Sequence, residues 1–244
     1  MAKKNHKWIL FIIVIFLIGF GIGYFYQLQP EQKIITQPVQ IENFSFVEMS
    51  LPAVDEKGNG VAVDLSVEAR SGAGRILTNI DKLLFWIDTQ YSIQTAKAVA
   101  ENITGLNTSN IDLIYTINTN ATIVGGPSAG AAMTVATIAA LENKKLNSSV
   151  IITGTINPDG SIGKVGAILE KAKAAKDINK TLFLVPQGEG IETKLKPVEK
   201  CIRQPGFTYC ETTYEKIEVN VGERIGIDVK EVANINDALK YFLL

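Results

Sequence analysis

The chain has 244 residues, of which 46% are hydrophobic and 20% are charged, and its formal net charge is −1. This composition suits a folded domain with a buried core, and it offers no basic excess that would favour nucleic acid as a partner. The single histidine is His6, close to the N-terminus. A Ser-His-Asp or Cys-His hydrolase therefore has no imidazole to use, and histidine-based zinc or iron sites are disfavoured as well.

The first predicted element is a membrane anchor at residues 8–26, a run of 19 residues without a charge. As a helix it would span about 28 Å, close to the thickness of the hydrocarbon core of a bilayer. Lys3, Lys4 and Lys7 precede the run, so the positive-inside rule predicts a single-pass protein with a cytosolic tail, residues 1–7, and an extracytosolic body. A cleaved signal peptide is the alternative, although no small-x-small cleavage site follows the run.

A polar linker with two prolines is predicted at residues 27–42, and a folded domain at residues 43–244. Alternating apolar residues predict strands, and apolar residues three and four apart predict helices. The predicted strands are 44–54 and 61–67, which would form a hairpin, then 111–117, 149–156, 182–185 and 225–232. The predicted helices are 92–103, 128–141, 167–176 and 236–244. This mixture indicates an α+β or α/β domain.

Cys201 and Cys210 flank a turn signal at Pro205-Gly206, which would let the two flanks fold back on each other. A disulfide and a pair of unpaired thiols both remain open from the sequence. The chain contains neither a P-loop motif nor a G-x-G-x-x-G motif after a strand, so no nucleotide cofactor is predicted. No metal site is predicted either.

The first candidate for chemistry is Ser128, within the glycine-rich segment 125–130, at the start of a predicted helix. Glycines on both sides let the backbone turn sharply, and the free amides at a helix N-terminus favour an oxyanion. The structural alternative is that Ser128 only caps a tightly packed helix.

A nucleophilic serine needs a base, and the helix at 167–176 offers one. Lys171 shares a helical face with Ile168, Ala172 and Ala175, so it lies on the apolar stripe. Burial there would lower its pKa and make it a usable general base. A lysine that snorkels at the edge of the stripe is the alternative reading, and Lys164 is the rival base.

Three segments together resemble the proteolytic domain of Lon proteases, which are Ser-Lys dyad peptidases. They are the G-P-S-A-G of residues 126–130, the T-G-T-I of residues 153–156 and the G-A-I-L-E-K of residues 166–171. Lys171 follows Ser128 by 43 residues, the spacing that the family uses. The resemblance implies an α+β fold of the Lon type, which is ribosomal protein S5 domain 2-like, with Ser128 as nucleophile and Lys171 as base. It also implies supporting roles for the neighbouring Thr153, Gly126, Pro127 and Ala129, with Thr153 hydrogen-bonded to the lysine amine.

The chain departs from the family pattern in three ways at the site and in one way in its architecture. Lys164 stands where the family usually has an apolar residue or a proline. The acidic residue that the family carries before P-S-A-G is absent at residues 123–126, and Ala167 replaces the second glycine before the lysine helix. The family's ATPase module is also absent. The resemblance is therefore to the membrane-anchored, ATPase-free Lon relatives predicted in archaea.

We expect a membrane-anchored, ATP-independent serine endopeptidase that cleaves unfolded or flexible protein segments and uses no cofactor. The main alternative is a degenerate Lon-like module that binds peptides or assembles a complex at the membrane without cleaving. A second alternative is a domain that cuts its own linker. Lon-type domains tend to form rings, so the resemblance also raises a homo-hexamer as an open expectation.

Overall fold

The computed structural model describes Phe16 and residues 44–80, 87–119 and 126–244. The chain separates into two compact units, residues 1–36 and residues 37–244, and all described residues except Phe16 belong to the second unit. Within the described ranges, no helix is long and apolar enough to cross a membrane. The predicted tail, anchor and linker, residues 1–42, lie outside the described residues apart from Phe16 and stay predictions.

The first layer of the folded domain is a four-stranded sheet with the order β1-β2-β4-β3. Its strands are β1 (Ser45–Val54), β2 (Gly60–Ser71), β3 (Ile76–Asn79) and β4 (Ile111–Asn118). The hairpin of β1 and β2 is confirmed, with Val54 paired to Gly60 at its turn. The odd-numbered residues from Val47 to Ala53 are buried, because side chains alternate across a strand and only one face meets the core.

The second layer is a parallel sheet with the order β11-β8-β5. Its strands are β5 (Val150–Ile152), β8 (Leu182–Pro186) and β11 (Asp228–Val232). The strand predicted at 149–156 is interrupted after β5, because Gly154 has a φ of 151° and turns the chain. The chain resumes as a small antiparallel pair, β6 (Thr155–Ile156) and β7 (Ile162–Gly163).

The described helices pack with these two sheets. They are α1 (Ile87–Thr104), α2 (Gly130–Leu141), α3 (Ile168–Asp177), α4 (Val221–Ile225) and α5 (Ile235–Phe242). All twelve residues of α2 are buried, because its small alanines and glycine let other elements approach from every side. The Tyr115 hydroxyl lies 2.7 Å from Thr137 Oγ1 and satisfies both groups inside this core. Helices and mixed sheets together confirm the α+β class.

A long hairpin, β9 (Ile191–Gln204) and β10 (Phe207–Asn220), leaves the domain after β8. Most of its residues are exposed. Cys201 is paired directly with Cys210 across the two strands, and a disulfide joins them. Of the two alternatives left open by the sequence, the structure has the disulfide. The sequence predicted the turn but neither 14-residue strand.

Candidate active site

Ser128 lies in a tight turn that leads into the buried helix α2. Residues Pro127–Ala129 form one turn of 3-10 helix, and α2 follows directly at Gly130. Gly126 precedes the turn with a φ of 112°, a conformation that an L-residue rarely adopts. Pro127 suits the first helical position because its fixed φ is helical and its missing N–H would have no partner there. The helix predicted from residue 128 is thus present, with a 3-10 turn at its start.

The segment Thr153-Gly154 holds the backbone of Ser128. The Gly154 amide donates to the Ser128 carbonyl at 2.9 Å, and the Ala131 amide donates back to the Gly154 carbonyl at 3.0 Å. The Thr153 hydroxyl also donates to the Ser128 carbonyl, at 3.3 Å. These contacts fix the backbone of Ser128 between α2 and the end of β5.

No hydrogen bond joins Thr153 to the amine of Lys171 among the described residues, and the supporting role of Thr153 stays a prediction. Thr153 is fully buried, and its hydroxyl donates its one proton to Ser128. Thr153 is therefore held against the backbone of Ser128.

Gly130 is required for this arrangement, because α2 and β6 approach very closely here. A Cβ added at Gly130 would lie 2.7 Å from Ile156 Cγ2 and 2.8 Å from the Ile156 backbone nitrogen. Any larger residue would push the start of α2, and Ser128 with it, away from β6.

Lys171 lies on the buried face of α3, as its spacing predicts, and is only 4% exposed. Burial lowers its pKa from the usual 10.5 to about 8, while the carboxylate of Glu189 acts in the opposite direction. The rival base, Lys164, is exposed. An amine with a pKa near 8 is neutral in a useful fraction of molecules slightly above neutral pH, as a general base requires.

Ser128 and Lys171 line the same cavity, which has a volume of about 270 Å³. Gly126 and Ala129 also line it, whereas Pro127 and Thr153 are not among its lining residues. Residues 51–54 of β1 form another part of the wall. The sequence predicted β1 as a strand but gave no sign that it lies beside Ser128.

The loop before α3 completes the cavity wall with Gly166 and Ala167. Ala167 has φ 58° and ψ 44°, the left-handed conformation that costs a non-glycine residue about 1 kcal/mol. Ala167 stands where the family pattern has its second glycine. The backbone at Ala167 nevertheless has the conformation that a glycine would adopt without strain.

One further cluster of potential ligands was found among the described residues, and it lies on the hairpin. It comprises Glu199, Cys201 and Cys210. Both sulfurs are in the disulfide, so neither is a thiolate that could bind a metal.

A serine hydroxyl and a buried lysine that share one concave site are the elements of a serine peptidase with a lysine base. The model of the Lon protease (S16) C-terminal proteolytic domain matches residues 86–220, which is more than half of the chain. The chain therefore belongs to the Lon protease S16 proteolytic domain family.

Curated relatives agree with this assignment. The chain is 30% identical over 96 residues to the archaeal Lon protease of Thermoplasma volcanium, a match that covers 39% of this chain and 15% of that protein. It is 31% identical over 132 residues to the Lon protease of Buchnera aphidicola, covering 54% of this chain and 14% of that protein. It is 29% identical over 143 residues to the Lon protease of Phenylobacterium zucineum, covering 59% and 18%.

The chain thus matches less than a fifth of the length of each of these three relatives. Family and relatives together support a serine endopeptidase.

Proposed function

We propose that this protein is a serine endopeptidase in which Ser128 is the nucleophile and Lys171 the general base. The observation that carries the proposal is that both residues line one cavity, with Lys171 buried and its pKa lowered to about 8. A serine hydroxyl is a poor nucleophile unless an adjacent base takes its proton. The one histidine is His6 and residues 44–244 contain none, so we assign that role to the lysine amine.

In the proposed reaction, the neutral amine of Lys171 removes the proton from Ser128 Oγ as the oxygen attacks the peptide carbonyl. The amides of Ser128 and Ala129, at the start of the helical run, are assigned to the oxyanion that forms. The ammonium of Lys171 then gives its proton to the leaving amine. Water completes the cycle by hydrolysing the acyl-enzyme with the same lysine as base.

The substrate class we propose is unfolded or flexible polypeptide. The strand β1 is at the edge of its sheet and pairs with β2 on one side, while residues 51–54 of β1 face the cavity. An extended peptide suits a strand edge next to the nucleophile, because main-chain groups can pair there. A folded domain does not offer such a segment to a cavity of about 270 Å³.

ATP independence and membrane anchoring are proposed from the sequence. No P-loop motif occurs in the 244 residues, so this chain contains no recognisable P-loop site for hydrolysing ATP. The uncharged run at residues 8–26, with Lys3, Lys4 and Lys7 before it, supports a single-pass anchor and an extracytosolic catalytic domain. A ring of six copies is proposed only by analogy with Lon-type domains.

The test is cleavage of casein by the purified full-length chain without ATP, from pH 6 to 10. We expect cleavage to rise with pH as Lys171 loses its proton around pH 8, and to vanish in both Ser128→Ala and Lys171→Ala. Lys173→Ala is the matched control, because Lys173 is on the same helix but exposed.

Two results would contradict the proposal. Full activity in a correctly folded Ser128→Ala protein would remove the nucleophile. Casein that binds but stays intact at every pH, with Ser128 unlabelled by a serine-reactive fluorophosphonate, would favour the non-cleaving peptide-binding module.

A further inference from the structure

Glu189 contacts the loop before α3, residues 164–167, although it is 61 residues from Ser128 in the sequence. It follows the carboxyl end of β8, the central strand of the parallel sheet. Its carboxylate accepts the Val165 amide with both oxygens, at 3.2 and 3.1 Å. Val165 directly precedes Gly166 and Ala167, which line the cavity.

This contact matters because the start of α3 has no cap of its own. The residue at the N-cap position is Ala167, whose methyl side chain cannot accept a hydrogen bond from a free amide of the helix. Carboxylates from the chain after β8 occupy that end instead, with Glu189 on the Val165 amide and Glu192 on the Leu169 amide at 3.2 Å. Negative charge is favourable at a helix N-terminus, so this end of α3 is both held and stabilised.

Two other charged groups near Lys171, Glu170 and Lys164, each face a group of opposite charge. On α3 itself, Glu170 faces Lys194 of β9 at 3.5 Å. In the preceding loop, the charge of Lys164 acts on Glu231 of β11, which also accepts the Gly190 amide at 2.9 Å. Lys173 and Lys176 are exposed.

Glu189 is the carboxylate that acts on the buried amine. Its charge raises the pKa of Lys171 against the larger, opposing effect of burial.

We propose that Glu189 is a positioning residue for the Ser128–Lys171 pair, and this inference rests on the proposed function. Its carboxylate holds the loop that leads into α3, and its charge stabilises the ammonium that forms when Ser128 gives up its proton. Glu189 thus brings a carboxylate from the chain after β8 to the loop beside the cavity.

Two substitutions distinguish the two roles of Glu189, which are to hold the loop and to stabilise the ammonium of Lys171. Glu189→Gln keeps an oxygen that can accept the Val165 amide but removes the charge. We expect the acid limb of its pH–activity profile to move to lower pH, with kcat at the plateau roughly three- to tenfold lower and KM nearly unchanged. Glu189→Ala also removes the acceptor for the Val165 amide, so we expect KM to rise as well as kcat to fall.

The matched control is Glu231→Gln. Glu231 contacts the same segment through Gly190 but acts electrostatically on Lys164. Its removal disturbs the segment without removing the charge that acts on Lys171, so we expect the wild-type pH profile. Thermal unfolding of each variant verifies that it is folded before the comparison is made.

A second readout does not depend on cleavage. The pKa of Lys171 can be followed by NMR of lysines labelled with carbon-13 at Cε in the full-length chain, assigned by Lys171→Arg. A lower pKa in Glu189→Gln than in the wild type supports the inference, and an unchanged pKa overturns it. If the wild type shows no Ser128-dependent cleavage, the proposed function fails, whereas the titration still decides the role of Glu189.

Discussion

Replacement of the buried lysine should make the folded domain more stable while it abolishes activity. Lys171 is 4% exposed, and burial is the main cause that lowers its pKa from 10.5 to about 8. Protonation of Lys171 is therefore less favourable in the folded state than in the unfolded chain, where the amine is hydrated. Lys171→Met keeps the approximate length of the side chain and removes the charge, so the cost of burying the ammonium disappears.

The size of the effect follows from the two pKa values. Between pH 8 and 10.5 the unfolded chain binds a proton that the folded chain does not, so the stability of the wild type rises with pH in that window. Below pH 8 both states are protonated and the full cost applies, about 3 kcal/mol at about 1.4 kcal/mol per tenfold change. By pH 10 the remaining cost is about 1 kcal/mol.

Urea unfolding of the wild type and Lys171→Met at pH 7 and pH 10 measures this difference. The gap in the free energy of unfolding should narrow by about 2 kcal/mol between the two pH values. Packing changes caused by methionine are the same at both pH values and cancel. A gap that stays constant with pH would refute the reasoning, because it would mean that Lys171 has the same pKa in both states. Lys173→Met, on the exposed side, should show no such narrowing.

Two backbone positions near the site give further predictions. Gly130→Ala should lower the free energy of unfolding by about 1–2 kcal/mol and reduce cleavage, because the clash with Ile156 outweighs the roughly 1 kcal/mol gained in helix propensity; an equally stable, fully active variant in thermal unfolding and casein assays would contradict this. Ala167→Gly should change stability by less than about 1 kcal/mol, since relief of left-handed strain is offset by a more flexible unfolded chain. Ala167→Val should destabilise by more than about 1 kcal/mol, and equal melting temperatures for the two variants would argue against strain at this residue.

The elements that face the core were predictable from the sequence. The hairpin of β1 and β2 was found because its apolar residues alternate, and α3 because its apolar residues recur three and four apart. The long hairpin of β9 and β10 was missed because neither face is buried for most of its length. A strand without a core face has no need for alternation, so its sequence carries little periodic signal.

Both residues of the proposed catalytic pair could be singled out because each has a local signal in the sequence. Ser128 lies between glycines before a helix, and Lys171 lies on an apolar stripe. The partner of Thr153 could not be predicted, since the bend at Gly154 decides which segment the hydroxyl meets. Glu189 was missed for a similar reason, although its place after the carboxyl end of a parallel strand is a signal that could have pointed to it.

The buried lysine and the hydrophobic cluster that α3 forms with the parallel sheet depend on each other. Ile168, Ala172 and Ala175 share the buried face of α3 with Lys171 and belong to a cluster built on the parallel sheet. Fully burying one side chain such as Ile168 contributes about 1.5–3 kcal/mol, close to the cost of about 3 kcal/mol assigned to the ammonium of Lys171. The same apolar packing excludes water from the amine and so lowers its pKa. A looser cluster would weaken the fold and also return the amine to its charged form, so the packing of α3 serves both stability and the proposed catalysis through one set of contacts.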